Sequence, residues 1–556
     1  MTDTLDTSKP AVLHGGTLSA APVRTLADAL ADAAGRTDCG AIVYLDEQGR
    51  PRSQSYSELL DDAARVLGSI RRAGALPGDQ VAIQVEQEAD LLAAFWACQL
   101  GGFVPVPVAM SPPPSSPLSS AELLGGVCDL LQDPWVIAAE PTPGSWLGAV
   151  EDLRSGPPER GFHAAEPDDL ALLLLTSGST GLPKAVMLTQ RNILSRARAN
   201  AQVRGLSERN RTFNWMPLDH VGGLVMFHVR DVLLGCHQVH ARKEWVTEDP
   251  LRWLAAISEH ECDTTWAPNF AFGLINDRAD DLAGRPWDLS RLTYIMNGGE
   301  AIKPKVIRRF LSLLAPFGLP GTAMHPGWGM SETSSGVVDS VFSPDTSSDD
   351  DRFVSVGSPH PGVSLRVVDE TGRALSEGQI GRLHVTGIPI SPGYYRNDEQ
   401  NRQSFNNDGW FKTGDLAFIS NGVLTVTGRV DDVIVVNGVT YYGHEIESVI
   451  EELSFVEPSY TVACEAESVL GATAAGTLMI FFHPRSGVAS DRDNWCVVEH
   501  IADRFGLTVS RVCPVAKESV PKTGIGKLKR SQLARRLSNT EISTSDGLVR
   551  AASEEA

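Results

Sequence analysis

Residues 172–188, LLLLTSGSTGLPKAVML, decide the fold: an apolar run opens into a loop of glycines, hydroxyls and one lysine. Its polar residues are Thr176, Ser177, Ser179 and Thr180, and its glycines are Gly178 and Gly181. Hydroxyls donate hydrogen bonds, glycines let the backbone approach an anion closely, and Lys184 adds a positive charge. The GxxxxGK[ST] spacing of a Walker A loop is missing. The stretch therefore predicts another kind of phosphate-binding loop, placed after a buried strand of an α/β sheet.

The composition excludes several classes of function. A chain of 556 residues that is 42% hydrophobic and 21% charged predicts a globular protein with large cores. Its net charge of -21 argues against nucleic acid as a partner. Neither a signal peptide nor a long apolar stretch is present, so we expect a cytoplasmic protein with no membrane partner. The eight cysteines lie far apart without a CxxC pair, which predicts small buried side chains rather than disulfides or a zinc site.

Alternating helices and strands in the first part of the chain predict an α/β fold with a mostly parallel sheet. The expected elements are helices at 23–34, 57–73 and 89–100 and strands at 41–45, 80–85 and 103–108. Near Gly428 the pattern changes to a small α+β unit, with a strand at 433–436 and a helix from Glu445. We expect a flexible N-terminus at 1–20, a large domain at 21–430, a small domain at 431–537 and a disordered tail at 538–556.

The longer segment TSGSTGLPKAVMLTQRN resembles the signature of the adenylate-forming superfamily, which includes acyl-CoA synthetases, fatty acyl-AMP ligases and peptide-synthetase adenylation domains. Ala185 stands where that family usually has glycine. Five more segments match in the family's order: NGGEAI (297–302), GWGMSET (327–333), FKTGD (411–415), GRVDD (428–432) and PKTGIGKLKR (521–530). The resemblance implies an AMP-forming ligase that uses ATP and Mg²⁺, with a large adenylate-forming domain and a small mobile C-terminal lid.

By resemblance, an ATP site can be assigned residue by residue. Thr176, Ser177, Gly178, Ser179, Thr180 and Lys184 would hold the β- and γ-phosphates, and Gly298, Gly299, Glu300, Trp328, Gly329, Met330 and Ser331 would line the adenine. Glu332 would ligate Mg²⁺, Asp415 would bind the ribose hydroxyls, and Arg429 would lie beside the ribose and phosphates. Lys527, Thr180, Glu332 and His220 are the expected catalytic residues, and Asp431 matches the family's hinge.

The acid pocket is expected around NWMPLDHVGGL (214–224), with His220 at the family's gate position. Val221 stands where amino-acid-activating members carry an aspartate, which disfavours an α-amino acid. The other expected pocket residues are Trp215, Asn269, Phe270 and Gly298. The segments at 220–235 and 435–447 look most like fatty acyl-AMP ligases and polyketide acid-loading domains. The short segment from Glu332 to Gly357 leaves little room for the insertion of those ligases, which argues against a long-chain fatty acid. A short, an aromatic and a fatty acid all stay open.

The expected reaction is formation of an acyl-AMP with release of pyrophosphate, followed by transfer to a thiol or another nucleophile. Secondary metabolism, including antibiotic biosynthesis, is the expected setting. No GxDS carrier-attachment motif follows the small domain, so the acceptor would be a separate carrier protein or CoA. Two alternatives stay open: a diazotase that adenylates nitrite to diazotise an aromatic amine, and an inactive nucleotide-binding scaffold.

Lys527 carries the first prediction. Attack of a carboxylate on the α-phosphate of ATP gathers negative charge at one phosphorus, and a cation there stabilises the transition state. We expect Lys527→Ala to lower the rate of adenylate formation by roughly 10²- to 10³-fold while ATP binding stays nearly intact. Pyrophosphate release and equilibrium ATP binding measure the two effects, and an unchanged rate of pyrophosphate release would remove Lys527 from this role.

Overall fold

The computed structural model describes residues 9–20, 22–110, 118–177, 183–406, 408–436, 439–465, 478–523, 528–530, 532–533, 544–545 and 548–549. Its contacts divide the chain into two compact units. The first comprises Met1–Ser111, Ser120–Thr413 and Phe418–Thr425, and the second comprises Pro112–Ser119, Gly414–Ala417 and Val426–Ala556. The predicted domain boundary at residues 430 and 431 stays a prediction.

The largest sheet of the described residues has fourteen strands. Their order across the sheet is Val12–His14, Val363–Val368, Gly381–Gly387, Phe411–Ser420, Val423–Arg429, Ser355–Pro359, Ser335–Asp339, Met324–Met330, Tyr294–Asn297, Thr264–Ala267, Arg211–Asn214, His237–Ala241, Ala41–Leu45 and Pro51–Ser55. Pairing is parallel from Met324–Met330 through to Ala41–Leu45. Antiparallel pairing surrounds this block, so the mostly parallel arrangement holds for the middle of the sheet and not for its flanks.

Two smaller sheets complete the first unit as far as the structure describes it. The strands Val104–Pro107, Gln80–Gln84, Trp135–Ala138 and Ser145–Gly148 pair in parallel in that order. The other sheet has the order Gly393–Tyr394, Pro183–Thr189, Leu170–Ser177 and is antiparallel throughout. The apolar strand that precedes the phosphate-loop sequence is thus one arm of a hairpin, with Thr176 opposite Lys184.

Helices cover these sheets and form the cores with them. The α-helices of the first unit are Leu26–Gly35, Tyr56–Arg72, Glu88–Gly101, Ser120–Leu131, Val150–Arg154, Gln190–Arg204, Arg230–Leu234, Lys243–Glu248, Leu251–Glu259, Asn269–Asn276, Pro304–Leu314 and Asp398–Ser404. A π-helix spans Gly222–Val229, and short 3₁₀ turns lie at Ala279–Asp281, Ala315–Phe317 and Ser331–Thr333. Helix Glu88–Gly101 is buried along almost its whole length, because it lies in the core formed with helix Tyr56–Arg72. None of the described helices combines the length and apolar character needed to cross a membrane.

The second unit has its own core. Within its described residues, the strands Val433–Val436 and Val439–Tyr442 pair with each other, Val456–Glu465, Leu478–Pro484 and Val509–Pro514 form another sheet, and Thr544–Ser545 pairs with Leu548–Val549. Its α-helices are Gly443–Ile450 and Asp491–Phe505, and 3₁₀ turns span Val430–Asp432 and Lys517–Ser519. Ile446, Phe482 and Ile501 pack together in the core, so the helices cover the central strand Leu478–Pro484.

The predicted elements agree with the structure to within three residues at their ends, and the strands at 41–45 and 433–436 agree in both bounds. The α/β class is confirmed. Val12–His14 adds an edge strand by pairing with Val363–Val368, and the flexibility expected of residues 1–20 stays a prediction. Six of the eight cysteines are buried, as expected. Most of the predicted tail at 538–556 lies outside the described residues.

A chain of buried polar side chains crosses the first unit beside its parallel strands. Trp96 Nε1 donates to His228 Nε2 over 2.8 Å, which places the His228 proton on Nδ1, where it faces Gln238 Oε1 at 2.9 Å. His240 Nε2 donates to the same oxygen, and its Nδ1 accepts from Asn214. Both imidazoles are therefore satisfied in the neutral state. Burial lowers the pKa of His228 to about 4 and that of His240 to about 3.

These pKa values predict acid sensitivity. Below pH 6.5 these histidines bind protons in the unfolded chain but stay neutral in the folded protein. Their contribution to the free energy of unfolding is therefore complete above pH 6.5 and falls as the pH drops towards 4. Each histidine contributes a slope of up to about 1.4 kcal/mol per pH unit. We expect His240→Gln to reduce the slope of the unfolding free energy between pH 6.5 and 4.5, measured by urea denaturation. The exposed His14→Gln is the control, and equal slopes in both variants would contradict the assignment.

Candidate active site

The candidate site begins where four neighbouring parallel strands end. These strands are Arg211–Asn214, Thr264–Ala267, Tyr294–Asn297 and Met324–Met330. Ala267 lies opposite Asn297, and Asn297 lies opposite Pro326, so the segments after these residues leave the sheet at one edge. Ligands of α/β proteins bind at this carboxyl edge. The fold thereby collects three of the predicted segments: 214–224, 297–302 and 327–333.

His220, Val221 and Trp266 form a wall where the sequence predicts the acid pocket. The rings of His220 and Trp266 are stacked, with their planes 8° apart and their centroids separated by 6.0 Å. Gly222 makes this possible, because a Cβ on it would lie 2.4 Å from the Trp266 ring. The π-helix Gly222–Val229 begins at this point, and such helices are frequent at functional sites. Val221 is buried and apolar at the start of the helix.

The protonation state of His220 is set by its surroundings. The amide N–H of Gly222 donates to His220 Nδ1 over 3.1 Å, so in the neutral ring the proton sits on Nε2. Burial lowers the pKa of His220 to about 4, and the ring is neutral near pH 7. His220 is thus a hydrogen-bond donor through Nε2. Burial raises the pKa of the neighbouring Asp219, and the positive charge of Lys243 opposes that rise.

The remaining predicted pocket residues occupy different surroundings. Trp215 is fully buried, and its ring lies 5.5 Å from that of Trp253. Asn269 Oδ1 accepts from the main chain of Lys303. The N–H of Phe270 donates to Glu300 Oε1 over 2.6 Å at the start of helix Asn269–Asn276, where a carboxylate is stabilised by the helix dipole. Glu300 therefore joins the predicted adenine segment to the predicted acid segment.

Glycines set the shape of the predicted nucleotide segments. A Cβ on Gly298 would lie 2.8 Å from the carbonyl oxygen of Gly327, and one on Gly329 would lie 2.1 Å from that of Ser335. Gly299 has φ +85°, a conformation that favours glycine. The two motifs thus approach each other at backbone distance. Trp328 is 8% exposed, while Met330 and Ser331 are half-buried.

Glu332 lies in the 3₁₀ turn Ser331–Thr333 and is 7% exposed. After this turn Ser334 and Ser335 have φ values of +54° and +104°. Non-glycine residues rarely adopt these angles, and they concentrate at functional sites. The strained pair turns the chain directly into strand Ser335–Asp339, so Glu332 is held at a sharp corner.

Lys184 connects to Glu332 through residues that sequence reasoning missed. Its Nζ donates to Gln400 and lies 5.6 Å from the centroid of the Tyr394 ring. Tyr394 Oη donates to Glu332 Oε1 over 2.7 Å. Thr176, opposite Lys184 in the hairpin, donates its hydroxyl to the Lys184 carbonyl over 3.4 Å. Tyr394 belongs to the GYY triplet at 393–395, which lies outside the six segments that resemble the adenylate-forming signature.

Several predicted residues fall elsewhere. Gly178, Ser179, Thr180, Lys527 and the side chain of Ser177 lie outside the described residues. Asp415 and Arg429 belong to the second unit, where Arg429 Nε lies 3.2 Å from Asp415 Oδ1. Asp431 is exposed in the turn Val430–Asp432. Flanking the Lys527 position, Lys522 and Leu528 form a β-bridge, and Arg530 forms ion pairs with Glu447 and Asp432.

Comparison with known proteins identifies the family to which these motifs point. The sequence model of the family described as AMP-binding enzyme matches residues 30–117 and 121–395. Aspulvinone E synthetase melA of Aspergillus terreus is 31% identical over 545 residues, which cover 94% of this chain and 59% of that protein. The chain thus spans about three fifths of the length of this curated relative.

Solved structures agree over nearly the whole chain. The structure of McyG A-PCP complexed with phenylalanyl-adenylate has a TM-score of 0.88 at 35% identity and covers 95% of this chain and 84% of that one. The adenylation, ketoreductase and pseudo Asub structure of a keto acid-selecting NRPS module has a TM-score of 0.89 at 37% identity. It covers 97% of this chain and 48% of that one.

The stacked rings of His220 and Trp266 leave no room for a methyl group on Gly222. We expect Gly222→Ala to displace Trp266 and His220, because the new Cβ has no room beside the indole. Overpacking of this kind costs about 1–3 kcal/mol of folding stability, so the displaced wall should raise the KM for the acid by at most roughly 150-fold. The KM for ATP should change little. Gly125→Ala is the matched control, since a Cβ there meets nothing within 4 Å. An unchanged KM for the acid in Gly222→Ala would place the acid away from this wall.

Proposed function

This chain belongs to the AMP-binding enzyme family and is an AMP-forming ligase, and we propose that it activates an aromatic 2-oxo acid as its acyl-AMP. The carboxylate of the acid attacks the α-phosphorus of ATP, a P–O bond forms, and pyrophosphate leaves with the electrons of the broken P–O bond. Transfer of the acyl group to the thiol of a carrier protein would follow, with AMP as the leaving group. The reaction would serve secondary metabolism.

ATP would bind along the path from Lys184 to the carboxyl edge of the sheet. The segment 176–184 would hold the β- and γ-phosphates, as the resemblance implies. Gly298 and Gly329 would let the backbone lie against the adenine, and the ribose role of Asp415 and Arg429 stays a prediction from the resemblance. Lys527 stabilises the charge that gathers at the α-phosphorus. The contacts that link Lys184, Tyr394 and Glu332 support this assignment.

Mg²⁺ fits the chemistry of this donor set. Glu332 is a buried carboxylate oriented by a hydrogen bond, and hard cations take oxygen ligands. Within the described residues, no group of three or more histidine, cysteine, aspartate or glutamate side chains gathers around one point. Mg²⁺ commonly binds through one or two carboxylates and the phosphates of its nucleotide, and Glu332 would supply such a carboxylate. When bound, the ion neutralises charge on the phosphates.

Val221 carries the choice of acid. An α-amino acid brings an ammonium group, and burying an unpaired charge is far more costly than burying a neutral polar group. Val221 is 5% exposed and apolar at the position where, by the resemblance, amino-acid-activating relatives place an aspartate. A 2-oxo acid has no charge at that carbon. The neutral His220 presents an Nε2–H donor, which suits the carbonyl oxygen of a 2-oxo acid.

Two further observations support an aromatic 2-oxo acid and a carrier. The wall of Trp266 and His220 is flat and stacked, which favours an aryl side chain. One structural neighbour is described as a keto acid-selecting NRPS module, and another is an A-PCP structure with phenylalanyl-adenylate. The A-PCP structure supports a carrier protein and an aryl side chain. Val221 favours the 2-oxo acid over its 2-amino counterpart.

A pyrophosphate-release assay tests the proposal. The acids form matched sets with one aryl side chain and a 2-oxo, 2-hydroxy or 2-amino group, together with a fatty acid and nitrite. We expect the 2-oxo acid to exceed the 2-amino acid by at least 100-fold in kcat/KM, which corresponds to about 3 kcal/mol. Val221→Asp should narrow this ratio, since the new carboxylate would pair with the ammonium. His220→Phe keeps an aromatic ring and removes the donor, so it should lower kcat/KM for the 2-oxo acid selectively.

The outcomes separate the alternatives. A response to nitrite alone would establish the diazotase, and a response to the fatty acid alone would replace the aryl 2-oxo acid. Absence of pyrophosphate release with every acid and with nitrite, by a chain that still binds ATP, would contradict ligase chemistry and favour the scaffold. Equal rates for 2-oxo and 2-amino acids would overturn the role of Val221.

A further inference from the structure

We propose that Tyr394 is a positioning residue that orients Glu332 for Mg²⁺·ATP and couples it to Lys184. This inference rests on the proposed function, because it concerns the same nucleotide site. The phenol of Tyr394 joins the carboxylate that is expected to hold the metal to the cation that is expected to hold the phosphates.

The contact between Tyr394 and Glu332 is short and shielded from water. Oη donates to Oε1 over 2.7 Å, and the two residues are 6% and 7% exposed. A hydrogen bond to a charged acceptor in such surroundings is stronger than one in water. It fixes the rotation of the carboxylate, and with it the direction in which Oε2 points. Carboxylates that ligate metals are commonly oriented by such partners.

The backbone of Tyr394 is held on both sides. Asn401 accepts from the Tyr394 N–H over 2.7 Å and donates to its carbonyl over 2.9 Å. Gly393 has φ +144°, and a Cβ on it would lie 2.7 Å from Asn401 Oδ1. Ser391 N–H donates to the main-chain oxygen of Glu332 over 2.8 Å. The segment therefore holds Glu332 through both its main chain and its side chain.

The same segment reaches the hairpin that carries Lys184. Gly393 and Tyr394 pair with Met187 and Val186, and the Lys184 ammonium lies 5.6 Å from the Tyr394 ring centroid. A cation at this distance is attracted by the face of the ring. The ring thus helps to place Lys184 while the hydroxyl places Glu332. Phenylalanine would retain the first interaction and lose the second.

Titration of the full chain with ATP at a series of MgCl₂ concentrations, followed by calorimetry, tests this role. We expect Tyr394→Phe to raise the MgCl₂ concentration for half-maximal ATP binding about tenfold, the scale on which loss of such a partner weakens metal affinity. Excess Mg²⁺ should restore binding, and the KM for the acid should not change. A residue that only stabilised the fold would lower the melting temperature and leave the Mg²⁺ dependence unchanged.

Controls keep the outcome unambiguous. Tyr395→Phe removes the neighbouring hydroxyl and should leave the Mg²⁺ dependence at the wild-type value. In a Glu332→Gln background, Tyr394→Phe should add no further change, because it acts through Glu332. If Tyr394→Phe does not fold, Asn401→Ala loosens the tyrosine backbone and should show the same rise. A wild-type Mg²⁺ dependence in the folded variant overturns the inference. Absence of pyrophosphate release with every acid would instead refute the proposed function, since ATP binding is measured without an acid.

Discussion

The register of the parallel strands is the constraint on which the candidate site depends. Ala267, Asn297 and Pro326 lie side by side, so the three segments that follow them emerge together at the carboxyl edge. A slip of one residue would turn every side chain to the opposite face of the sheet. The strands are buried on both faces, and the packing of their side chains in the core holds this register. The site is therefore fixed by the core and not by its own loops.

Close approach of backbones then shapes the edge at which the ligand is predicted to bind. Gly222 admits the Trp266 ring, Gly298 lies against the Gly327 carbonyl, and Gly329 lies against that of Ser335. A methyl group at any of these positions would separate two segments that must touch. This explains physically why the motifs are rich in glycine, since each of these glycines faces a different neighbouring segment. Beside Glu332, the strained backbone of Ser334 and Ser335 shapes the chain in the same way as these glycines do elsewhere.

The sequence predicted the α/β class, most element boundaries and the segments that gather in the first unit. Periodicity served well where side chains face a core, as in strands 41–45 and 433–436. It failed to show that Leu170–Ser177 pairs in an antiparallel hairpin, because an apolar run buried on both faces reads alike in either arrangement. Nor did it reveal Tyr394, whose partner Glu332 lies far away in the chain and whose role depends on a single hydroxyl.

Discrimination in the proposed reaction arises from a missing charge. Both a 2-oxo acid and its amino counterpart would place the same side chain against Trp266, so the aromatic wall alone cannot separate them. An ammonium beside Val221 loses its hydration without gaining a counter-ion, whereas a carbonyl loses one or two hydrogen bonds and regains one from a donor such as His220. The neutral tautomer of His220 matters for this reason. If the ring were protonated it would still donate to a carbonyl, but its charge would also attract free carboxylates, and the Nδ1 acceptor that holds Gly222 would be lost.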